Sequence, residues 1–126
     1  MLKGELIGLK EANKALKRLP EFAKDSVQQV MDVTAFQVSQ KAKASAPVQS
    51  GALKRAIEWE SRPRSLSSIV GIGSEAFYWK FIEYGTVKMA AHPFMRPAAL
   101  SLEADHHARM IHALVQAANR VEREGP

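Results

Sequence analysis

Apolar residues recur at three- and four-residue intervals toward both ends of the chain and at two-residue intervals in its middle. Over residues 9–19, LKEANKALKRL, the positions Leu9, Ala12, Leu16 and Leu19 fall on one face and predict a short amphipathic helix, with Pro20 ending it or starting the next. From Glu21 to about Ala44, Ala23, Val27, Val30, Met31, Val38 and Ala42 form a 3.6-residue stripe that predicts a long helix. Val33 and Phe36 widen that stripe, which fits a helix lying across a sheet and also touching a neighbouring element or subunit. Ala46-Pro47 ends the helix, because the residue before a proline is pushed out of the helical region.

Ser50-Gly51 then caps a short turn through Ala52-Leu53-Lys54-Arg55. Next, Ile57, Trp59 and Ser61 alternate with Glu58, Glu60 and Arg62, the pattern of a half-buried strand. Arg62-Pro63-Arg64-Ser65 makes a turn, and Leu66 to Gly73 returns as a second strand, giving a hairpin. Residues 76–84, AFYWKFIEY, match two templates: Phe77, Phe81 and Tyr84 have helical spacing, whereas Phe77, Trp79 and Phe81 would line a strand. A short helix is preferred, broken by Gly85, with Thr86 to His92 as a loop before Pro93 and Pro97.

The last helix is expected over about residues 97–122, with Pro97 in its first turn and Leu100, Ala104, His107, Ile111, Leu114, Ala118 and Val121 on its apolar stripe. The opening LKGELIGL adds a candidate edge strand. Strands between helical blocks imply an α+β fold, a small antiparallel sheet packed against long N- and C-terminal helices.

At 126 residues the chain has the length of one domain, 1–126, and its 46% hydrophobic and 25% charged content is that of a chain that folds. Without cysteine it has neither disulfides nor thiolate zinc sites. The longest apolar stretches fall far short of a membrane span, and the N-terminus lacks the apolar block of a signal peptide, so a cytoplasmic protein is expected. The formal charge of +5 attracts phosphate in principle, but the 18 basic residues are spread along the chain.

His92, His106, His107 and His112, beside Glu103 and Asp105, invite a metal reading, yet on a helix His112 lies about 140° from His107 and about 120° from His106, so the rings do not converge. His107, on the apolar stripe, is read as a core or interface histidine. Glu58, Glu60 and Glu83 have nothing to pair them as catalytic carboxylates, neither Ser50 nor Ser74 lies in a nucleophile elbow, and Gly71-Ile72-Gly73-Ser74 lacks the third glycine of a dinucleotide loop. No catalytic, cofactor-binding or metal-binding residue is assigned. The aromatics Phe77, Tyr78, Trp79, Phe81 and Tyr84, with Lys80 and Lys88 nearby, suit core packing better than base stacking, because Glu75 and Glu83 interrupt any basic groove. The loop Thr86, Val87, Lys88, Met89, Ala90, Ala91, His92 is a poor choice for plain solvent exposure, and two readings stand: docking against a neighbour, or folding onto its own domain. Gly85 makes a flexible break, so the loop is expected to be mobile in a free subunit and ordered in an assembly.

Two segments carry a family resemblance. Tyr78, Phe81, Glu83, Gly85 and Thr86, followed by Met89, Ala90, Ala91, Pro93, Phe94, Arg96, Pro97 and Ala98, form one signature, with His92 and Met95 at variable positions. Ala46-Pro47-Val48-Gln49-Ser50-Gly51-Ala52-Leu53-Lys54-Arg55 forms the second, departing at Gln49-Ser50, where the pattern often has an acid and a threonine. In this order they resemble the tail-completion or head–tail joining proteins of long-tailed bacteriophages, the gene product ten type of lambdoid phages. The resemblance implies a structural protein of a virion or prophage with no enzymatic role and no cofactor. It implies a homo-oligomeric ring, often a hexamer, at the head–tail junction, in the host cytoplasm before assembly. Its partners would be the connector and tail-tube proteins, with DNA passing non-specifically and no membrane. The alternative is a nucleic-acid-binding accessory protein using basic and aromatic surface residues.

Overall fold

The computed structural model describes residues 18–47 and 51–124, so the candidate edge strand and most of the helix expected over residues 9–19 lie outside the described residues. Helix α1 spans Glu21–Ser45, uninterrupted by glycine or proline. Pro20 precedes it in an extended conformation, its carbonyl accepting the amides of Ala23 and Lys24 at 3.0 Å each. At the other end Ala46, held extended by Pro47, donates its amide to Ala42 O at 2.8 Å.

Gly51 (φ 76°) leads into a one-turn helix α2, Ala52–Ala56. The hairpin follows: β1, Ile57–Arg62, pairs antiparallel with β2, Ser67–Ile72, with Ile57 opposite Ile72 and Trp59 opposite Val70. Pro63–Ser65 form a single 3₁₀ turn between them, closed by Leu66 in the left-handed region (φ 51°). Helix α1 crosses this two-stranded sheet with a polar contact and an aromatic one. Gln28 Nε2 donates to Ser61 Oγ and to Ser67 O at 2.9 Å each, Ser68 Oγ donates to Asp32 Oδ1 at 2.7 Å, and Phe36 meets Trp59 edge to face at 6.5 Å. Burial opposes the charge on Asp32, but hydrogen bonds with Ser68, Ser61 and Gln28 outweigh it and hold this carboxyl below its ordinary range.

Helix α3, Trp79–Tyr84, stands as the helical spacing predicts. The single C-terminal helix expected from residue 97 is instead two, α4 at Met95–Ser101 and α5 at Glu103–Glu124. Between them Ser101 Oγ bonds back to Ala98 O at 2.8 Å, the Leu102 amide is drawn to Ala99 O at 3.2 Å, and the buried Leu102 side chain joins the core. A serine bonding the preceding turn competes with regular helix geometry, which places the break here.

The core gathers Val38 and Ala42 of α1, Leu53, Ile57, Trp79, Leu102, and above all Phe94 and Met95, which are fully enclosed. Helix α5 packs on α1: Phe22 meets Arg120, and Thr34 meets His106, so the two run antiparallel. The face of α5 turned to α1 carries the half-buried Met110 and Ala113 and the buried Ala117. The stripe expected to be buried points the other way. Leu100, Ile111 and Val121 are exposed, as are Ala104, His107 and Ala118, and Leu114 is half-buried. His107 is therefore no core histidine, and it is His106 that meets α1.

Candidate assembly surface

The loop at Thr86–His92 is built on a buried carboxylate. Glu83 is 4% exposed, and its side chain turns inward from α3 toward the start of α4. Oε1 accepts the amides of Phe94 at 3.1 Å and Met95 at 2.9 Å, and Oε2 accepts that of Arg96 at 3.2 Å. These are among the amides that a helix start leaves without partners, and no residue flanking α4 caps them. A carboxylate there also meets the positive end of the helix dipole. One side chain, eleven residues upstream of the first amide it binds, thus closes the loop at its neck.

A second tie lies beside it, where the His92 amide donates to Ile82 O at 2.7 Å. Gly85 sits between the two ties at φ 76°, and a Cβ on it would lie 2.8 Å from the Ala91 amide nitrogen. Close approach of the returning strand of the loop demands glycine here. Beyond the neck the chain makes a tight reversal, with Thr86 N to Met89 O at 2.8 Å, Met89 N to Thr86 O at 3.3 Å, and the Lys88 amide on Thr86 Oγ1 at 3.3 Å. Thr86 to Pro93 are all exposed, and Val87 at the tip is as exposed as in an extended chain.

The helix leading into the loop continues this surface. Trp79 and Glu83 face inward and Ile82 is half-buried, while Phe77, Phe81 and Tyr84, at spacings of four and three, stand 74, 53 and 65% exposed. The expectation of a wholly packed aromatic cluster is corrected: Trp79 is in the core, Tyr78 is half-buried, and the other three form an outward ridge. Residues 77–89 therefore display five large apolar side chains, Phe77, Phe81, Tyr84, Val87 and Met89, to solvent. A surface of this kind marks a contact site more often than free protein surface. A smaller apolar group, Val33, Phe36 and Trp59, is exposed where α1 crosses the hairpin.

The other candidates do not come together. Glu58 and Glu60 are exposed, with Glu60 paired to Arg62 at 3.3 Å, and Ser74 is exposed in a 3₁₀ turn. Gly71 lies in β2 and Gly73 just after it. His92, His107 and His112 are exposed, and no three His, Asp or Glu side chains cluster as a metal would require among the described residues. His106 Nδ1 lies 2.6 Å from Thr34 Oγ1, and Arg109 Nη2 donates to Thr34 Oγ1 at 3.2 Å and Gln37 Oε1 at 2.9 Å. The Thr34 hydroxyl accepts from Arg109 and pairs with the imidazole in either tautomer, since it keeps a proton and a second lone pair. Burial, then the charges of His107 and Arg109, lowers the pKa of His106.

The role of Glu83 was invisible from spacing, because a cap that reaches back over eleven residues has no local pattern. The burial of Phe94 and Met95, whose amides need an acceptor, emerges only from the fold.

Residues 10–85 match a family model described as "Bacteriophage HK97-gp10, putative tail-component". The matched stretch includes the Ala46–Arg55 signature and the aromatic run up to Gly85; the projecting loop lies just beyond it. No curated protein and no solved structure gives a significant match.

Proposed function

Given that the chain belongs to the HK97-gp10-like family of bacteriophage tail components, we propose that it is a structural subunit of the head–tail junction, a member of a homo-oligomeric ring joining connector to tail while DNA passes through. The observation that supports this is the projecting loop with its aromatic ridge: apolar side chains are held outward on a neck fixed by Glu83. A braced, exposed apolar loop suits docking, since holding it in place in advance lowers the ordering cost of association. Val33, Phe36 and Trp59 offer a second apolar contact, as a ring subunit with a neighbour on each side requires. The chain acts by assembly and carries out no reaction in this reading, and the basic excess suits a hole that admits DNA.

Labelling of assembled particles tests the position. Label on a tagged form of this chain should appear at a single location per particle, at the joint, whereas label along the tail tube or at the distal tip would overturn the junction reading while leaving a tail component intact.

One observation favours a nucleic-acid accessory role. Phe77, Phe81 and Tyr84 are exposed, as are Lys80 and Lys88, and of the two interrupting acids Glu83 turns inward while Glu75 stays exposed. Val87 and Met89 argue for a protein partner instead. The two part on titration with single-stranded DNA: tight binding lost in Phe81→Ala would favour the accessory role.

A further inference from the structure

Along the sequence the cationic side chains are scattered, but the acids are missing from two segments, and this decides where the net charge sits. Between Asp32 and Glu58 there is no acid and there are four cations, Lys41, Lys43, Lys54 and Arg55; between Glu83 and Glu103 there is again no acid and there are two cations, Lys88 and Arg96. These segments carry +6 and the whole chain +5, so everything else sums to −1.

The fold brings the two segments together. Ala42 and Ala46 of α1, Leu53 and Ala56 of α2, and Met95 and Ala98 of α4 pack in one core cluster, and Lys41 Nζ donates to Ser101 Oγ at 3.1 Å. Lys41, Lys54, Arg55 and Arg96 are exposed around it, Lys43 is half-buried, and Lys88 rides out on the projecting loop. We propose that this end of the molecule binds the phosphate backbone of duplex DNA and, resting on the junction reading, that it is the surface the subunit turns toward the passing DNA.

The charge there is open to a ligand. Among the described residues the ion pairs are Lys24 with Glu21 and Arg62 with Glu60, both outside these segments. Of the bordering acids Glu83 is buried against the amides of α4, while Glu58, Glu75 and Glu103 are exposed. A protein partner is the weaker occupant. The exposed described residues among 37–56 are, besides the cations, Gln40, Ala44, Ser45 and Pro47, with no bulky apolar anchor such as a protein contact needs. A phosphate backbone is held by charge alone.

Lys41→Gln, Lys54→Gln and Arg55→Gln, combined in the full chain, remove three exposed cations from this end, and Arg64→Gln, Lys80→Gln and Arg123→Gln remove three exposed cations from elsewhere. Both triples change the net charge equally. Fluorescence anisotropy of a labelled duplex of arbitrary sequence, over a series of salt concentrations, separates them. The first triple should bind at least about tenfold more weakly at low salt, with the slope of log K against log salt shallower by about 2 to 3, while the second keeps the natural slope. Arg96→Gln alone should reduce the slope by about 1. Absence of binding by the natural chain at low salt, or equal slopes for the two triples, would overturn the proposal. Unchanged DNA binding by the first triple with loss of joined particles would assign this end to an acidic protein partner and overturn it as well. The junction reading fails separately, on label away from the joint.

Discussion

The side chain on which the loop depends most is Glu83. Replacing it with alanine leaves the amides of Phe94, Met95 and Arg96 without their acceptor, and a buried donor without a partner costs about 1–3 kcal/mol. Glu83→Ala should therefore lower stability by at least that amount in urea unfolding, and Glu83→Gln, which keeps one acceptor oxygen, by less. Equal stability of Glu83→Ala and the natural chain would refute the cap. Gly85→Ala should also destabilise, because a Cβ there meets the Ala91 amide at 2.8 Å with φ at 76°. What could be read from the residues in advance was uneven for a physical reason. Phe77–Gly85 reads as a break between a helix and a loop, but which of its five aromatics face inward depends on partners distant in sequence, Phe94 and Met95 among them. The glycine was visible; the crowding that requires it was not.

At the scale of elements, α1 and the hairpin follow from pattern because each has one dominant period and clear punctuation at Pro47 and Pro63. Helix α5 does not. It is apolar on two sides, and the larger side chains Ile111 and Val115 define the stronger stripe, while contact with α1 uses Met110, Ala113 and Ala117 together with Thr34, His106 and Arg109. That contact should depend on pH. The folded pKa of His106 lies below its ordinary 6.5, so the folded state favours the neutral ring. Its contribution is complete above the unfolded value and is lost as pH falls through the lower folded one, since the unfolded chain then binds the extra proton. Thermal melts should show stability falling as the pH drops below about 7, with the slope reduced in His106→Gln; an unchanged slope would remove His106 from the account. Asp32, also depressed, protects the α1–hairpin contact at all these pH values and gives way only in stronger acid, below the ordinary carboxylate range.

For the whole molecule, the fold presents a core at one end of α1, and from that core a braced loop carries apolar side chains outward. Hydrogen exchange should separate the two parts of the loop: the amides of His92, Phe94 and Met95 protected in the free subunit, and those of Val87 and Lys88 exchanging quickly until assembly covers them. Binding to DNA, where it occurs, should be independent of sequence and steeply weakened by salt, because the cationic side chains are scattered. The family and the α+β class were legible because they rest on local signatures and periodicity, whereas the surface was not, since exposure of Phe77, Phe81 and Tyr84 is decided by what the rest of the chain covers. The central claim, that this loop joins subunit to neighbour or tail, is tested most directly by replacing Val87 and Met89 together with serine, then measuring thermal stability and the yield of joined particles. Both residues are exposed, so melting should be unchanged and joining lost; normal joining by a stably folded double variant would contradict the claim.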